Sequence, residues 1–156
     1  MERQIKFRGK IVDNGDWIIG SLSMVDSRSQ NIGVDFGNMF ICQTQNSWQQ
    51  TEKGYIVGFW HKVNPKSVGQ FTGLLDSKGV EIYEGDYLVD KYPIDDEDLS
   101  LGYNESLLPV VWCNKTLSWC VDASFAKNGS YLVNLVEYFG EFLEVKGNIH
   151  DKSFDN

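Results

Sequence analysis

The apolar residues of this chain come in short runs of period two, and each run is cut off by a glycine, asparagine or aspartate turn within a few residues. Alternation of this kind places successive side chains on opposite faces of an extended strand, so it constrains the chain to a β-rich fold. Ile5-Lys6-Phe7-Arg8-Gly9-Lys10-Ile11 alternates apolar with basic and reads as a half-buried strand. Asn14-Gly15 follows; both residues tolerate positive φ, so a type I′ hairpin turn is expected, with a return strand from Trp17 to Leu22 or Met24. Further short strands are expected at residues 32–36, 39–42 and 55–59. The polar stretch 43–53 reads as a loop or a helix. Asn64-Pro65 marks a turn, because a residue before proline is pushed out of the helical region.

That turn divides the chain into a β-rich half, residues 1–65, and a second half, residues 66–156. The second half holds an Asp76-to-Gly79 turn, a Gly85-Asp86 turn and a strand at residues 87–90. An acidic insert, residues 91–108, follows as a long loop, and strands resume at 109–113 and 117–122 around an Asn114-Lys115 turn. Ser130 is placed to cap a short helix within 130–139, with Leu132, Leu135, Val136 and Phe139 on one face and Gly140 closing it. Residues 142–149 close the chain as a strand. Five short strands with one long loop near the start predict an SH3-like small barrel. The expected fold is therefore mainly β, an N-terminal hairpin and sheet packed on that barrel.

Composition narrows the function. Hydrophobic content of 42% and aromatic content of 13% are enough for a packed core, which a disordered chain lacks. The net charge of −8 is uneven: residues 1–75 carry eight Lys/Arg against six Asp/Glu, residues 76–156 six against sixteen. An acidic chain is a poor partner for phosphate backbones, the first strand being the exception. Cys42, Cys113 and Cys120 are odd in number and widely spaced, which argues for reduced thiols rather than a disulfide framework. The charged start MERQIKFRGK lacks a secretory apolar core, and no apolar run approaches a membrane span. A soluble protein that stays in the cytosol of the cell that makes it, with no membrane partner, is expected.

Residues 70–89, QFTGLLDSKGVEIYEGDYLV, resemble the central signature of the YopX family of phage and prophage proteins. In that signature a Gln-aromatic-Thr-Gly-Leu run, an Asp turn ending in Gly, and Glu-Ile-Tyr-Glu-Gly-Asp follow in order. Ile5-Lys6-Phe7-Arg8 is similar to the family's opening strand, and residues 144–150, EVKGNIH, to its closing one; Lys146 and His150 depart from the family's usual aliphatic and aromatic residues. The resemblance implies an SH3-like C-terminal half, a homo-oligomer, and no assigned activity, cofactor or catalytic residue. It marks Gln70, Phe71, Thr72, Gly73, Leu74, Asp76, Gly79, Glu81, Ile82, Tyr83, Glu84, Gly85, Asp86, Gly147, Asn148 and Ile149 as a structural or assembly motif, with residues 70–86 at the junction of the halves.

Chemistry-bearing clusters were weighed against simpler roles. Glu81, Glu84 and Asp86 lie close enough for acid–base or metal work, but Asp86 after Gly85 is also placed to accept backbone N–H groups and hold a turn. Residues 95–98, all acidic, fail the EF-hand spacing, since Leu101 and Leu107 stand where Gly and Glu are required. No Cys or His spacing fits zinc, and no nucleophile elbow, P-loop or dinucleotide fingerprint occurs. Lys6, Arg8 and Lys10 share one strand face; they fit a polyanion contact or charge pairing with acids of the second half. Trp17, Trp48, Trp60, Trp112 and Trp119 fit a core, an interface or base stacking. The resulting expectation is a non-enzymatic, self-assembling phage accessory protein with a phage or host protein as partner. The alternatives are nucleic-acid engagement through the basic strand face, and an acidic decoy of a host protein.

Overall fold

The opening alternation forms β1 (Phe7–Lys10), and the run from Trp17 forms β2 (Trp17–Met24), with Phe7 opposite Gly20 and Lys10 opposite Trp17. The computed structural model describes residues 4–24, 38–43, 49–51, 54–56, 59–94, 97–124, 131–138 and 143–151. The turn joining the first two strands is wider than the expected type I′. Ile11 N–H donates to the Asp16 carbonyl and Gly15 N–H to the Ile11 carbonyl, each at 2.9 Å. Within the turn Gly15 alone takes a positive φ, 77°. Asn14 keeps an ordinary φ because its side-chain oxygen accepts from Asp16 N–H at 3.0 Å, a side-chain turn that replaces the backbone one.

β3 (Met39–Cys42) pairs with β2, and β4 (Gln49–Thr51) with β5 (Gly54–Ile56) in a separate hairpin. The helix or loop expected over 43–53 is thus corrected to strand at 49–51, where backbone pairing overrides the weak β propensity of Gln. The strand expected at 55–59 is confined to β5 on its described residues, and Phe59 lies outside any strand. The strand expected at 32–36 lies outside the described residues. β6 (Trp60–Val63), which alternation alone did not mark, pairs with β3. Asn64 then caps a single 3-10 turn, Pro65–Ser67, its side chain accepting from Lys66 N–H. β7 (Gly69–Leu75) returns beside β1, with Gln70 opposite Phe7.

The chain divides into two compact units, Met1–Phe71 and Thr72–Asn156. In the first, strands run in the order β6-β3-β2-β1-β7. The sheet curls on itself: Ile11 bridges Val63, and Val12 N–H donates to the Lys62 carbonyl at 3.0 Å. Its concave side encloses Ile18, Ile41 and Val63, with Phe7, Ile11, Leu22 and Met39 packed against them. The outward alternation of β1 follows directly, since Arg8 and Lys10 must face the opposite side.

The second unit contains β8 (Glu81–Tyr83), β9 (Asp86–Pro93), β10 (Tyr103–Cys113), β11 (Ser118–Asp122), β12 (Leu132–Asn134), α1 (Leu135–Tyr138) and β13 (Glu144–Asn148). Five of these strands form an antiparallel sheet in the order β12-β11-β10-β9-β13, so the last strand returns beside the first of the meander. Ile82, Leu88, Leu108, Val110, Val121, Leu135 and Leu143 make its core. Each buried side chain of this size contributes about 1.5–3 kcal/mol.

Two expectations for this unit are corrected. Half of the acidic insert is strand: residues 91–93 belong to β9 and 103–108 to β10, with Lys91 opposite Glu105, Tyr103 opposite Pro93 and Leu107 opposite Val89. The described acids Glu97, Asp98 and Glu105 are exposed, and pairing with β9 carries the strand through a composition that reads as loop. The helix starts later than expected. Leu132 lies in β12, and Asn134 caps α1 by accepting from Val136 N–H at 2.9 Å; Ser130, Phe139 and Gly140 lie outside the described residues. Among the described residues no helix is long and apolar enough to cross a membrane.

Candidate functional site

The motif of the second unit is a set of turns tied to the last strand by buried carboxylates. Thr72 donates its hydroxyl to the Ile82 carbonyl at 2.9 Å and accepts from Leu74 N–H, joining β7 to β8. Gly73 is exposed, while Leu74 packs on the core. Asp76 is buried and accepts from Lys78 and Val80 N–H through Oδ1, both at 2.8 Å, and from Val145 N–H through Oδ2 at 3.0 Å. One carboxylate therefore closes the turn ending at Gly79 and anchors β13. Burial pushes its pKa up, but the Val145, Val80 and Lys78 N–H groups and the Lys78 charge outweigh that and hold it below the ordinary 3.8.

Asp86 does the same for the second turn. It is fully buried and accepts from Tyr83 N–H at 2.8 Å and from Asn148 Nδ2 at 3.1 Å. Asn148 in turn accepts from His150 N–H, and Ile149 N–H donates to the Gly85 carbonyl at 2.9 Å. Gly85 has φ 81°, and a Cβ there would stand 3.1 Å from Asn148 Nδ2 and 3.3 Å from Ile149 Cγ1. Both its backbone angle and its packing call for glycine. Ile82 and Tyr83 are buried, and the Tyr83 hydroxyl donates to Glu81 at 2.7 Å. Gly147 sits at a bulge between β13 and β9. Glu84 lies half-buried in the turn before Gly85. The Glu81, Glu84 and Asp86 group thus lies within a hydrogen-bonded scaffold, and among the described residues no three His, Cys, Asp or Glu are arranged to hold a metal.

In the first unit Gln70 and Phe71 belong to β7, and Phe71 N–H donates to the Lys6 carbonyl at 2.9 Å. The three cations of the opening strand stack on aromatic rings. Lys6 lies 4.5 Å over Phe71, while Arg8 and Lys10 lie 4.6 Å and 5.0 Å from the ring centre of Trp17. Residues paired across antiparallel strands share a face. The register therefore places Trp17 and Ile19 beside Lys10 and Arg8, then Ser21 and Ser23, then Cys42 and Phe40, then Trp60 and Lys62, all on the convex side. Ile19 and Trp60 are 42% and 46% exposed, and Lys62 is exposed. Lys62 carries no signal in the sequence, because Trp60-His61-Lys62-Val63 runs apolar, polar, polar, apolar and shows no period of two.

A third cluster lies on β10 and β11. Cys113 stands opposite Ser118, and Cys120 opposite Val111, so the two thiols lie diagonally on one face. The Thr116 hydroxyl, with the N–H groups of Thr116 and Lys115, holds the Cys113 thiol below its ordinary 9.0 despite burial, which acts the other way. Both sulfurs are buried, as is Cys42.

The sequence model of one protein family, described as YopX protein, matches residues 6–154. No curated protein is similar enough to count as a match. Among solved structures, the crystal structure of protein EF1440 from Enterococcus faecalis is similar, with a TM-score of 0.54 and 18% identity over 99% of this chain and 100% of that one. That likeness concerns the fold.

Proposed function

The chain belongs to the YopX family, and from that premise we propose that it is a non-enzymatic binding module of a phage or prophage, acting in the cytoplasm of the bacterial host and assembling with copies of itself. The observation that carries this reading is the use of the motif's polar groups. Asp76, Asp86, Thr72 and Asn148 all serve as partners to backbone or side-chain groups of their own unit, which is scaffold chemistry rather than a constellation converging on a substrate.

Two features support binding and assembly. The convex face of the first unit combines cations with aromatic rings. In the second unit β12 ends its sheet among the described residues, and Tyr131, Leu132 and Val136 are exposed beside it; a sheet edge flanked by exposed apolar side chains is a template for another strand. The strand order of this unit, with α1 between β12 and β13, also supports an SH3-like reading of it. Light scattering at micromolar concentration tests assembly: a mass above one chain is expected, and a monomer would sink it. Co-purification from the host, with and without nuclease, tests binding, and the absence of any bound species would overturn that half of the proposal.

A further inference from the structure

The hairpin of β9 and β10 runs on past the strands that flank it. β13 pairs with β9 over residues 86–89 and β11 with β10 over residues 110–113, whereas residues 90–93 and 103–106 pair only with each other among the described residues. A two-stranded ribbon is marginal in water by itself. This one exposes apolar side chains, Ile94 and Leu101 toward its tip, and Tyr103 at 57% and Leu107 at 39% along one face. Resting on the self-assembly reading above, we propose that this face of the ribbon docks against the same face of a second copy of the chain.

The charge pattern selects a copy of the chain over a foreign protein. Alternate residues of a strand, and residues directly opposed across antiparallel strands, share a face. Tyr103, Glu105, Lys91, Leu107 and Glu144 therefore stand together. Lys91 and Glu105 are bonded at 3.0 Å, and Lys78 and Glu144 at 2.8 Å. Glu144 also acts on Lys91 through its charge, and Lys146 on Glu105. Three cations and two acids thus lie on or beside this face, in a half of the chain, residues 76–156, that holds six cations against sixteen acids. Two acidic chains repel wherever acid meets acid, and this surface is locally balanced. A cation beside an anion is self-complementary under a two-fold axis, which sets Lys91 of each copy against Glu105 of the other and takes Tyr103 and Leu107 out of water. A basic peptide has a better target in the exposed acids Glu97 and Asp98 nearer the tip, and an acidic peptide is repelled by them.

The test uses the full chain, with its mass followed by light scattering across the micromolar range at low salt. Lys91→Glu makes the charged rung all acid and Glu105→Lys makes it all base. Each variant, checked for folding by circular dichroism, should need at least roughly tenfold more protein to reach the parent's assembled mass, since like charges then meet across the axis. Loss of an exposed ion pair within one chain changes its stability little, so the readout is assembly. An equimolar mixture of the two variants should recover the parent's mass at the parent's concentration, because the acid rung then meets the basic one. Tyr103→Ser should weaken assembly by roughly tenfold through the loss of an aromatic anchor. A parent that assembles while the folded variants assemble equally well, or a mixture no better than either charge variant alone, would overturn this surface and leave self-assembly standing. A parent with the mass of one chain throughout would overturn both.

Discussion

One carboxylate that accepts three backbone N–H groups from two separate chain segments makes a local turn depend on a distant strand, and Asp76 is in that position. Its folded pKa lies below the ordinary 3.8, so its contribution to stability is complete above that value and is lost as pH falls through the folded one. Asp76→Asn turns one acceptor into a donor facing N–H groups. We expect a loss of about 1–3 kcal/mol at neutral pH and a flatter stability profile between about pH 4 and pH 2, measured by urea unfolding across that range. Asp86→Ala should cost at least about 2 kcal/mol, because it leaves Tyr83 N–H and the Asn148 amide buried without their acceptor; a midpoint unchanged from the parent would show that water replaces the carboxylate. Leu117 offers the opposite sign. It is 72% exposed and holds φ 51°, so Leu117→Gly loses little packing and should raise stability by about 1 kcal/mol in thermal unfolding. From sequence, the aspartates were legible as turn residues, since Asp76 opens a four-residue segment ending in Gly79 and Asp86 directly follows Gly85. Their reach to Val145 and Asn148 was not, because partners 69 and 62 residues away leave no local pattern.

At the scale of elements, pairing decides where composition is silent. The hairpin of β9 and β10 carries half of the insert that reads as loop, with Lys91 and Glu105 directly opposed and 3.0 Å apart. Each of that pair shifts the other: the Glu105 hydrogen bond and charge raise the Lys91 pKa, and Lys91 lowers that of Glu105. Both are exposed, so the contact directs pairing more than it stabilises. The core residues Leu88 and Leu108 lie at the base of the hairpin, away from the tip. Replacing residues 94–102 by a two-residue Asn-Gly turn should therefore leave the melting temperature of the chain within about 4 °C of the parent; a larger fall would mean the tip is part of the core's support. The first hairpin, β3 and the closing strand were legible because alternation and turn residues agreed there. β6, the late start of α1 and the strands inside the insert were not, since each is set by a neighbour in space rather than by its own period.

At the scale of the whole molecule, the two units have unequal means of standing alone. Among the described residues, the second holds eight buried residues in one cluster, and β7 contributes Leu74 to it beyond Phe71. Among the described residues, the first holds three buried residues in its cluster, with partly buried neighbours packed against them. Small domains are marginal because the fraction of surface they bury falls with size, so the difference in core should appear as a difference in autonomy. The fragment 72–156 is expected to unfold cooperatively in urea with native-like near-ultraviolet dichroism, the signal arising from Trp112 and Trp119, whose rings meet edge to face at 4.9 Å. The fragment 1–71 is expected to show a lower midpoint. Equal midpoints, or a second fragment without a cooperative transition, would mean that the burial seen in the intact chain does not rank the stability of its parts.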